Sequence, residues 1–557
     1  MTSFRTTFAR EAASARILYR SGAVPRLRSW PGLIKIARRA GAAAVGPAFA
    51  HIHGDKIAII DAAGSVTYRE LGEAVTALTC GLGALVRKDG QETIGVMCRN
   101  SRYALLATFA GVGLGAKLVF LNTDMGARQL AEVCRREGVR IVVRDDEFQS
   151  ACALLDDGIV QIDAWSEQKH AGLTIDTIVE RSRGRTPARP EFRPDVIILT
   201  SGSTGLPKGA SRGDSRPSLT TLGGFLQKIP VSGADRVFCG PPIFHGWGAI
   251  IALASLMCGA TLVFDRRFDA QRAVNAVVDH QCTALMAVPT MLKRIVALDS
   301  SELARIDRSR LRVIGSGGAK LDTSLVNTVM ATFGPVLHNL YGATEASYIT
   351  IATPDDLLAE PACAGRPPLG VEVAIVRDGH KAPPGKLGEI YVRSGGQMAA
   401  YTSGETKKYY RGMLQTGDTG RVDAEGRLFV EGRSDGMIVS GGENVFPEQV
   451  EAVLGHIPHI RDVKVVPVQD ADFGQRLRAY IVMDTTAELD VAGLKEHVAR
   501  ELSRPSVPRD FVVVADLPRG ATGKVTSQTL AELAEAYGDA AVAKQQEVES
   551  DPSVRLS

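Results

Sequence analysis

The chain has 557 residues, 45% hydrophobic and 23% charged, an ordinary balance for a folded protein but too long for one core, so at least two domains are expected. A net charge of +3 hides an asymmetry: residues 1–39 hold nine Lys and Arg against Glu11 alone, +8, leaving −5 for the rest. Eight cysteines without a C-x-x-C pair or a Cys/His cluster argue against zinc and a dense disulfide scaffold; they read as reduced core residues of a cytoplasmic protein.

In chain order, the basic start comes first. It suits an anionic lipid surface, an ordinary solvated helix face or an Arg-rich transit peptide, and it lacks the apolar run of a secretory signal. Lys56 to Asp61 then reads as a strand, and Val66 to Leu82 passes from alternation into a helix. Thr93 to Met97 is a strand, Ser101 caps a helix to about Gly111, Lys117 to Leu121 is a strand, Ala127 to Glu137 a helix and Val139 to Arg144 a strand. Such alternation predicts a mainly parallel α/β sheet. Arg181 to Pro194 is a loop into the Val196 to Leu199 strand.

That strand runs into Thr200-Ser201-Gly202-Ser203-Thr204-Gly205-Leu206-Pro207-Lys208-Gly209. Glycines free the backbone to point N–H groups at an anion, hydroxyls add donors and Lys208 adds a charge, so the stretch reads as a triphosphate cradle. It is not the common nucleotide-hydrolase loop, which needs Ser or Thr after its Lys. Next, Pro241 to Gly248 places His245 on a rigid aromatic turn; a lone His is most often structural. The uncharged run Gly246 to Phe264 fits a buried helix and strand better than a membrane span.

Leu311 to Ile314 reads as a strand ending in Gly315-Ser316-Gly317-Gly318-Ala319, where a flat ring could approach the backbone. In Asn339-Leu340-Tyr341-Gly342-Ala343-Thr344-Glu345 an aromatic can stack on a base, a hydroxyl can reach a phosphate and a carboxylate can hold Mg²⁺. Asp418, on a tight turn, suits the two hydroxyls of a ribose. Gly432 to Val445 is glycine-dense and reads as a linker, after which Pro447 to Leu454 and Val491 to Leu502 are helices and Val463 to Val468 and Arg478 to Val482 strands. Lys524 follows on the glycine-bearing loop Leu517 to Val525, and the tail from Ala540 is polar.

Taken together, these five motifs resemble those of the adenylate-forming superfamily: acyl-CoA synthetases, aryl-CoA ligases, firefly-type luciferases and peptide-synthetase adenylation domains. The resemblance implies a large N-terminal α/β domain of mainly parallel sheets flanked by helices, and a small mobile α+β C-terminal domain. The boundaries it suggests are a basic segment at 1–45, the large domain at 46–433, the small one at 434–540 with its hinge at Asp435, and a tail at 541–557. It implies that Thr200, Ser201, Gly202, Ser203, Thr204, Gly205, Gly318, Ala319, Asn339, Tyr341, Gly342, Asp418, Arg433 and Gly441 surround the nucleotide. Lys208, His245, Thr344, Glu345 and Lys524 take the catalytic roles, with Glu345 on Mg²⁺, His245 in the acyl and pantetheine channel and Lys524 at the α-phosphate.

The expected reaction uses ATP, Mg²⁺ and CoA. A carboxylate attacks the α-phosphate to give an acyl-adenylate and pyrophosphate, and a thiol then displaces AMP. A medium- or long-chain fatty acid is the expected substrate, because the segment after His245 is apolar and the overall pattern most resembles bacterial fatty-acyl-CoA synthetases. Nucleic acid is not expected as a partner, and residues 1–39 are a candidate contact with anionic membrane. Three departures stand out: Trp247 is not at the spacing of the tunnel gate of some long-chain members, Gly412-Met413 replaces a usual Gly-Trp, and Thr526-Ser527-Gln528 is not basic. Alternatives are an acyl-AMP ligase loading a carrier protein, an aryl-CoA ligase, a luciferase-like oxidative enzyme and a non-catalytic nucleotide- and lipid-binding protein.

Overall fold

Helix starts and stops follow local chemistry. Thr67 and Glu70 close a capping box on helix Tyr68–Gly83, Ser101 accepts from the Ala104 N–H at the head of Arg102–Leu114, and Gly115 ends that helix in the left-handed region at φ 76°. The strand between them, Thr93–Met97, is buried on both faces, as expected of parallel strands covered by helices on either side. In the computed structural model, residues 2–25, 27–86, 90–166, 172–200, 208–211, 219–398, 400–433, 437–470, 472–484 and 489–517 are described. Ser201 to Pro207, Asp435, Lys524 and the polar tail lie outside the described residues.

The chain divides into two compact units, one of Met1–Thr123, Leu130–Thr200 and Pro207–Asp435, the other of Asp124–Gln129, Ser201–Leu206 and the chain from Gly436 on. The first unit holds an eight-stranded sheet in the order Ser347–Ala352, Leu337–Ala343, Val313–Gly317, Ala284–Ala287, Arg236–Cys239, Thr261–Val263, Ile57–Asp61, Gly64–Thr67. Its inner strands are parallel and its two edge strands antiparallel. A seven-stranded sheet is ordered Ala400–Tyr401, Lys208–Ser211, Asp195–Thr200, Lys117–Phe120, Thr93–Met97, Ile141–Arg144, Val160–Asp163, with only the first two strands antiparallel to their neighbours. A six-stranded antiparallel sheet between Glu372 and Arg433 completes the unit. The second unit is an α+β layer on its own sheet, built on the long hairpin Ile460–Asp470 with Gly474–Met483.

Strand order in the seven-stranded sheet reverses around Thr93–Met97, and a crevice at the carboxyl ends of such strands is where α/β sheets bind ligands. Here charges fill it. Arg99 grips Glu147 at 2.9 and 2.8 Å, and Arg266 donates to Asp145 at 2.9 Å and Glu147 at 2.8 Å with its guanidinium 4.6 Å from the Trp165 ring. Burial pushes the Asp145 carboxyl up to about 6 against the pull of Arg266.

The mainly parallel architecture is as the alternating pattern implies, and helices Ala127–Glu137 and Pro447–Leu454 have the expected ends. The run after His245 is helix Gly246–Cys258 followed by strand Thr261–Val263, and among the described residues no helix is long and apolar enough to cross a membrane. All eight cysteines are free, seven of them buried.

Two expectations shift. The strand expected to stop at Ile314 runs from Val313 to Gly317, through the glycines. Its neighbours dictate those glycines: a Cβ on Gly315 would stand 2.5 Å from Met286 Sδ, and one on Gly317 3.2 Å from the Trp247 indole. The supposed linker Gly432 to Val445 holds the end of strand Leu428–Arg433 and a tight hairpin, Ile438–Ser440 with Glu443–Val445, turned by Gly441 and Gly442 at φ 62° and 97°. The basic start opens with a helix, α1 (Thr2–Ser21), which puts Leu18 into the main core and Ser14 against Gly223 of helix Leu219–Lys228.

Candidate active site

Strands Leu337–Ala343 and Ser347–Ala352 pair antiparallel and are joined by a tight turn that carries Thr344 and Glu345. The turn is strained: the register shifts between Tyr341 and Gly342, a Cβ on Gly342 would lie 2.3 Å from Ser347 O, and Ser347 itself has φ 68°. The Met398 N–H donates to the Glu345 carbonyl at 2.7 Å, and Ser394 Oγ to the Ala346 carbonyl at 2.7 Å, fixing the turn from outside.

The Glu345 side chain is 13% exposed. Its Oε1 accepts from the Tyr401 hydroxyl at 2.5 Å and pairs with Lys407 Nζ at 3.0 Å. Burial pushes the carboxyl up, but the Lys407 ammonium and the Tyr401 hydroxyl outweigh it and hold it below the usual glutamate range. Lys208 Nζ lies 6.0 Å from the centre of the Tyr401 ring and meets Glu405 at 2.5 Å. Lys407 thus pairs with an ionised, largely buried carboxylate, while Lys208 stands over the Tyr401 ring and pairs with Glu405.

A second cluster adjoins it along the same strand. The Tyr341 hydroxyl donates to Asp418 Oδ2 at 2.5 Å, and Arg433 Nη1 to Asp418 Oδ1 at 3.0 Å. Asp418 and Arg433 face each other because their strands pair in that register. Burial, then the Asp418 charge, push the Tyr341 phenol well above its ordinary value, so it stays a donor.

His245 sits at the N-cap of helix Gly246–Cys258, its ring 4.4 Å from that of Phe244. Its turn is held from a distance: Asn100 donates from Nδ2 to the carbonyls of Cys239 at 3.2 Å and Pro241 at 2.9 Å, and accepts the Ile243 N–H at 2.9 Å. Trp247, 7% exposed, donates from Nε1 to the Ala287 carbonyl at 2.9 Å and covers Gly315 and Gly317. Of the glycines expected to admit a flat ring, those two are therefore spent on Trp247, while Gly318, at φ 87° and exposed, and Ala319, half-buried, follow the strand's end. Asn339 is buried, with Oδ1 unpartnered, on the strand that carries Tyr341. Gly441 belongs to the second unit, where a Cβ would meet the Phe473 ring at 2.7 Å.

The structure thus joins Lys208 to Glu345 through Tyr401, and Tyr341 to Asp418 and Arg433. Sequence reasoning passed over Tyr401, Lys407 and Asn100, none of which stands in a motif; only their place in the sheet reveals them.

A family model for the AMP-binding enzyme covers residues 48–402, and one for the AMP-binding enzyme C-terminal domain covers 449–524 and ends on Lys524. The chain belongs to the AMP-binding enzyme family. Among curated relatives of this AMP-binding enzyme, it is 31% identical over 450 residues to an indoleacetate–CoA ligase of Aromatoleum aromaticum, covering 78% of this chain and 86% of the relative. It is 27% identical to a 2-succinylbenzoate–CoA ligase of Bacillus subtilis, covering 86% and 95%. Among solved structures it matches the amide bond synthetase McbA from Marinactinospora thermotolerans with a TM-score of 0.77 at 26% identity, covering 86% of this chain and 97% of that one.

The AMP-binding enzyme described here is an ATP-dependent acid–CoA ligase that works through an adenylate, with Mg²⁺ and CoA. Among the described residues no three His, Cys, Asp or Glu cluster as a metal cage. A single ionised carboxylate fits Mg²⁺, which usually takes one or two protein carboxylates and completes its shell with water and substrate phosphates.

Proposed function

We propose that this enzyme activates a medium- or long-chain fatty acid as its adenylate and passes the acyl group to CoA. The observation behind the chemistry is the Lys208–Tyr401–Glu345–Lys407 array: cations for a polyphosphate around a carboxylate kept ionised in a nearly dry setting. Glu345 would hold Mg²⁺, which supplies charge neutralisation between phosphate oxygens. Lys208 neutralises the leaving pyrophosphate, Thr344 donates to the α-phosphate, Tyr341 packs on adenine, and Asp418 with Arg433 holds the ribose. Lys524 would complete the α-phosphate's surroundings during adenylation, and the small domain would turn about Asp435 before the thiol attacks near His245. Catalysis of this kind is mostly positioning and charge placement, with no covalent enzyme nucleophile.

For the acid, the support is the uncharged helix Gly246–Cys258 behind His245, with Ile251, Ala252 and Leu256 buried along it. An alkyl chain needs only such walls, so kcat/KM should rise roughly fourfold per added methylene until the pocket is filled. A second reading, an aryl acid, has its own observation: Trp247 is bonded in place over Gly315 and Gly317, a flat fixed wall rather than a swinging gate. Pyrophosphate and AMP release with acids from acetate to oleate, and with benzoate and cinnamate, separates the two. Rising rates along the aliphatic series support the fatty acid; turnover of benzoate or cinnamate with none of any fatty acid replaces it by the aryl reading.

A further inference from the structure

The basic N-terminal segment lies before the family match, which begins at residue 48. Its second helix, α2 (Trp30–Ala40), has no buried residue. One side of α2 is turned inward: Gly32 lies so close to the His51 ring that a Cβ there would stand 2.5 Å from it, and Leu33 and Ile36 are half-covered. At 100° per residue the opposite side carries two neighbouring strips. Trp30, Ile34 and Ala37 form an apolar strip, the first two 43% and 44% exposed, and Lys35, Arg38 and Arg39 form a basic one, all exposed. Tyr19, 62% exposed, Arg20 and Arg28 carry the same aromatic and basic character to a cavity of 720 Å³ beside the start of α2. Residues 1–47 contain one acid, Glu11, to set against these charges.

An apolar strip with a tryptophan, edged by cations and docked by its other side, has the form of a helix lying in a membrane interface. We propose that the outward face of α2 docks this enzyme on an anionic bilayer, with Trp30 and Ile34 entering the headgroup boundary and Lys35, Arg38 and Arg39 on the lipid phosphates. A solvated basic face would not expose Trp30 and Ile34 side by side, and a neutral apolar partner would leave the three cations unanswered. The inference does not depend on which acid the enzyme activates.

The test is sedimentation of the full-length protein with vesicles of phosphatidylcholine alone or mixed with phosphatidylglycerol, at low and high salt. Binding is expected only to the anionic vesicles and is lost in high salt. A triple variant Lys35→Glu, Arg38→Glu, Arg39→Glu should weaken partitioning on the order of a hundredfold, each cation near the surface counting for about a factor of five. Trp30→Ala with Ile34→Ala should weaken it while leaving the charges in place. All five positions are exposed, so both variants should keep wild-type pyrophosphate release with a water-soluble acid, which shows that they fold. Equal binding to neutral and anionic vesicles, unchanged binding by both variants, or no vesicle binding overturns the proposal. So does a concentration-dependent dimer that both variants dissolve, which would make the face an interface between copies.

Discussion

Removing the Tyr401 hydroxyl takes one of two recorded donors from Glu345 Oε1 and leaves Lys407 as the other. A hydrogen bond to a charged group contributes about 1.5–3 kcal/mol, so Tyr401→Phe should cut adenylation roughly 10- to 100-fold. Because Tyr401 acts through Glu345, the loss should come with a higher Mg²⁺ concentration for half-maximal rate and little change in KM for the acid. A fall in kcat with unchanged Mg²⁺ dependence would place Tyr401 outside the metal's surroundings. His338 gives a pH effect of a different kind. It is 6% exposed with Nδ1 unpartnered, and burial, with the Lys228 charge, takes its pKa down from 6.5 to about 4. The unfolded chain binds the proton first, so this contribution is complete above pH 6.5 and is lost as pH falls toward 4, by about 2 kcal/mol at pH 5. Urea unfolding of His338→Gln should lack that share of the wild-type slope between pH 7 and 5; identical slopes would show that His338 titrates alike folded and unfolded.

Turns and strand ends, more than helix interiors, decide where the site's side chains stand. The Pro241 to Ile243 turn has one backbone bond of its own, from the His245 N–H to the Pro242 carbonyl, and Asn100, 4% exposed on the loop after Thr93–Met97, holds the rest. Asn100→Ala strands buried carbonyls and one N–H, which at about 1–3 kcal/mol for an unsatisfied group should lower stability and loosen the presentation of His245. The expected result is a lower unfolding midpoint with a raised KM for CoA; a lower midpoint with KM unchanged would confine Asn100 to folding. Such couplings mark the limit of what the sequence could tell. Ser101 and the helix Ala127–Glu137 were legible because a cap and an amphipathic period are local signals. The strand through Gly315 to Gly317 was not, because its glycines answer to Met286 and Trp247 from other elements. Tyr341, Thr344, Glu345 and Asp418 stand in recognisable motifs, whereas Tyr401 enters only because Ala400–Tyr401 pairs with Lys208–Ser211 across a sheet. The Gly441-Gly442 turn was read as linker because glycine density is shared by linkers and two-residue hairpins.

The two units carry separate hydrophobic cores, which bears on how the whole molecule comes apart. The first holds two large clusters, one running from Leu18 to Val392 and one around Phe238, Leu285 and Phe333. The second packs Val450, Leu477, Ile481, Val498 and Phe511 around its own hairpin. A core substitution leaves a cavity whose cost, about 2–5 kcal/mol for Leu or Ile to Ala, is confined to the cooperative unit that contains it. Calorimetry of the full-length enzyme should therefore show two transitions. Ile481→Ala, at a fully buried position of the second unit, should lower one of them, and Leu285→Ala, 1% exposed in the first, the other. The functional counterpart follows from where the chemistry lies. The Glu345 and Asp418 clusters are wholly in the first unit, so Ile481→Ala should leave Tyr341, Glu345, Asp418 and Arg433 in place. At a temperature between the two transitions of Ile481→Ala, the variant should still bind AMP while releasing no pyrophosphate, because Lys524 belongs to the unit that has melted. A single transition shifted by both substitutions would instead make the molecule one cooperative unit, and the small domain could not turn without disturbing the large one.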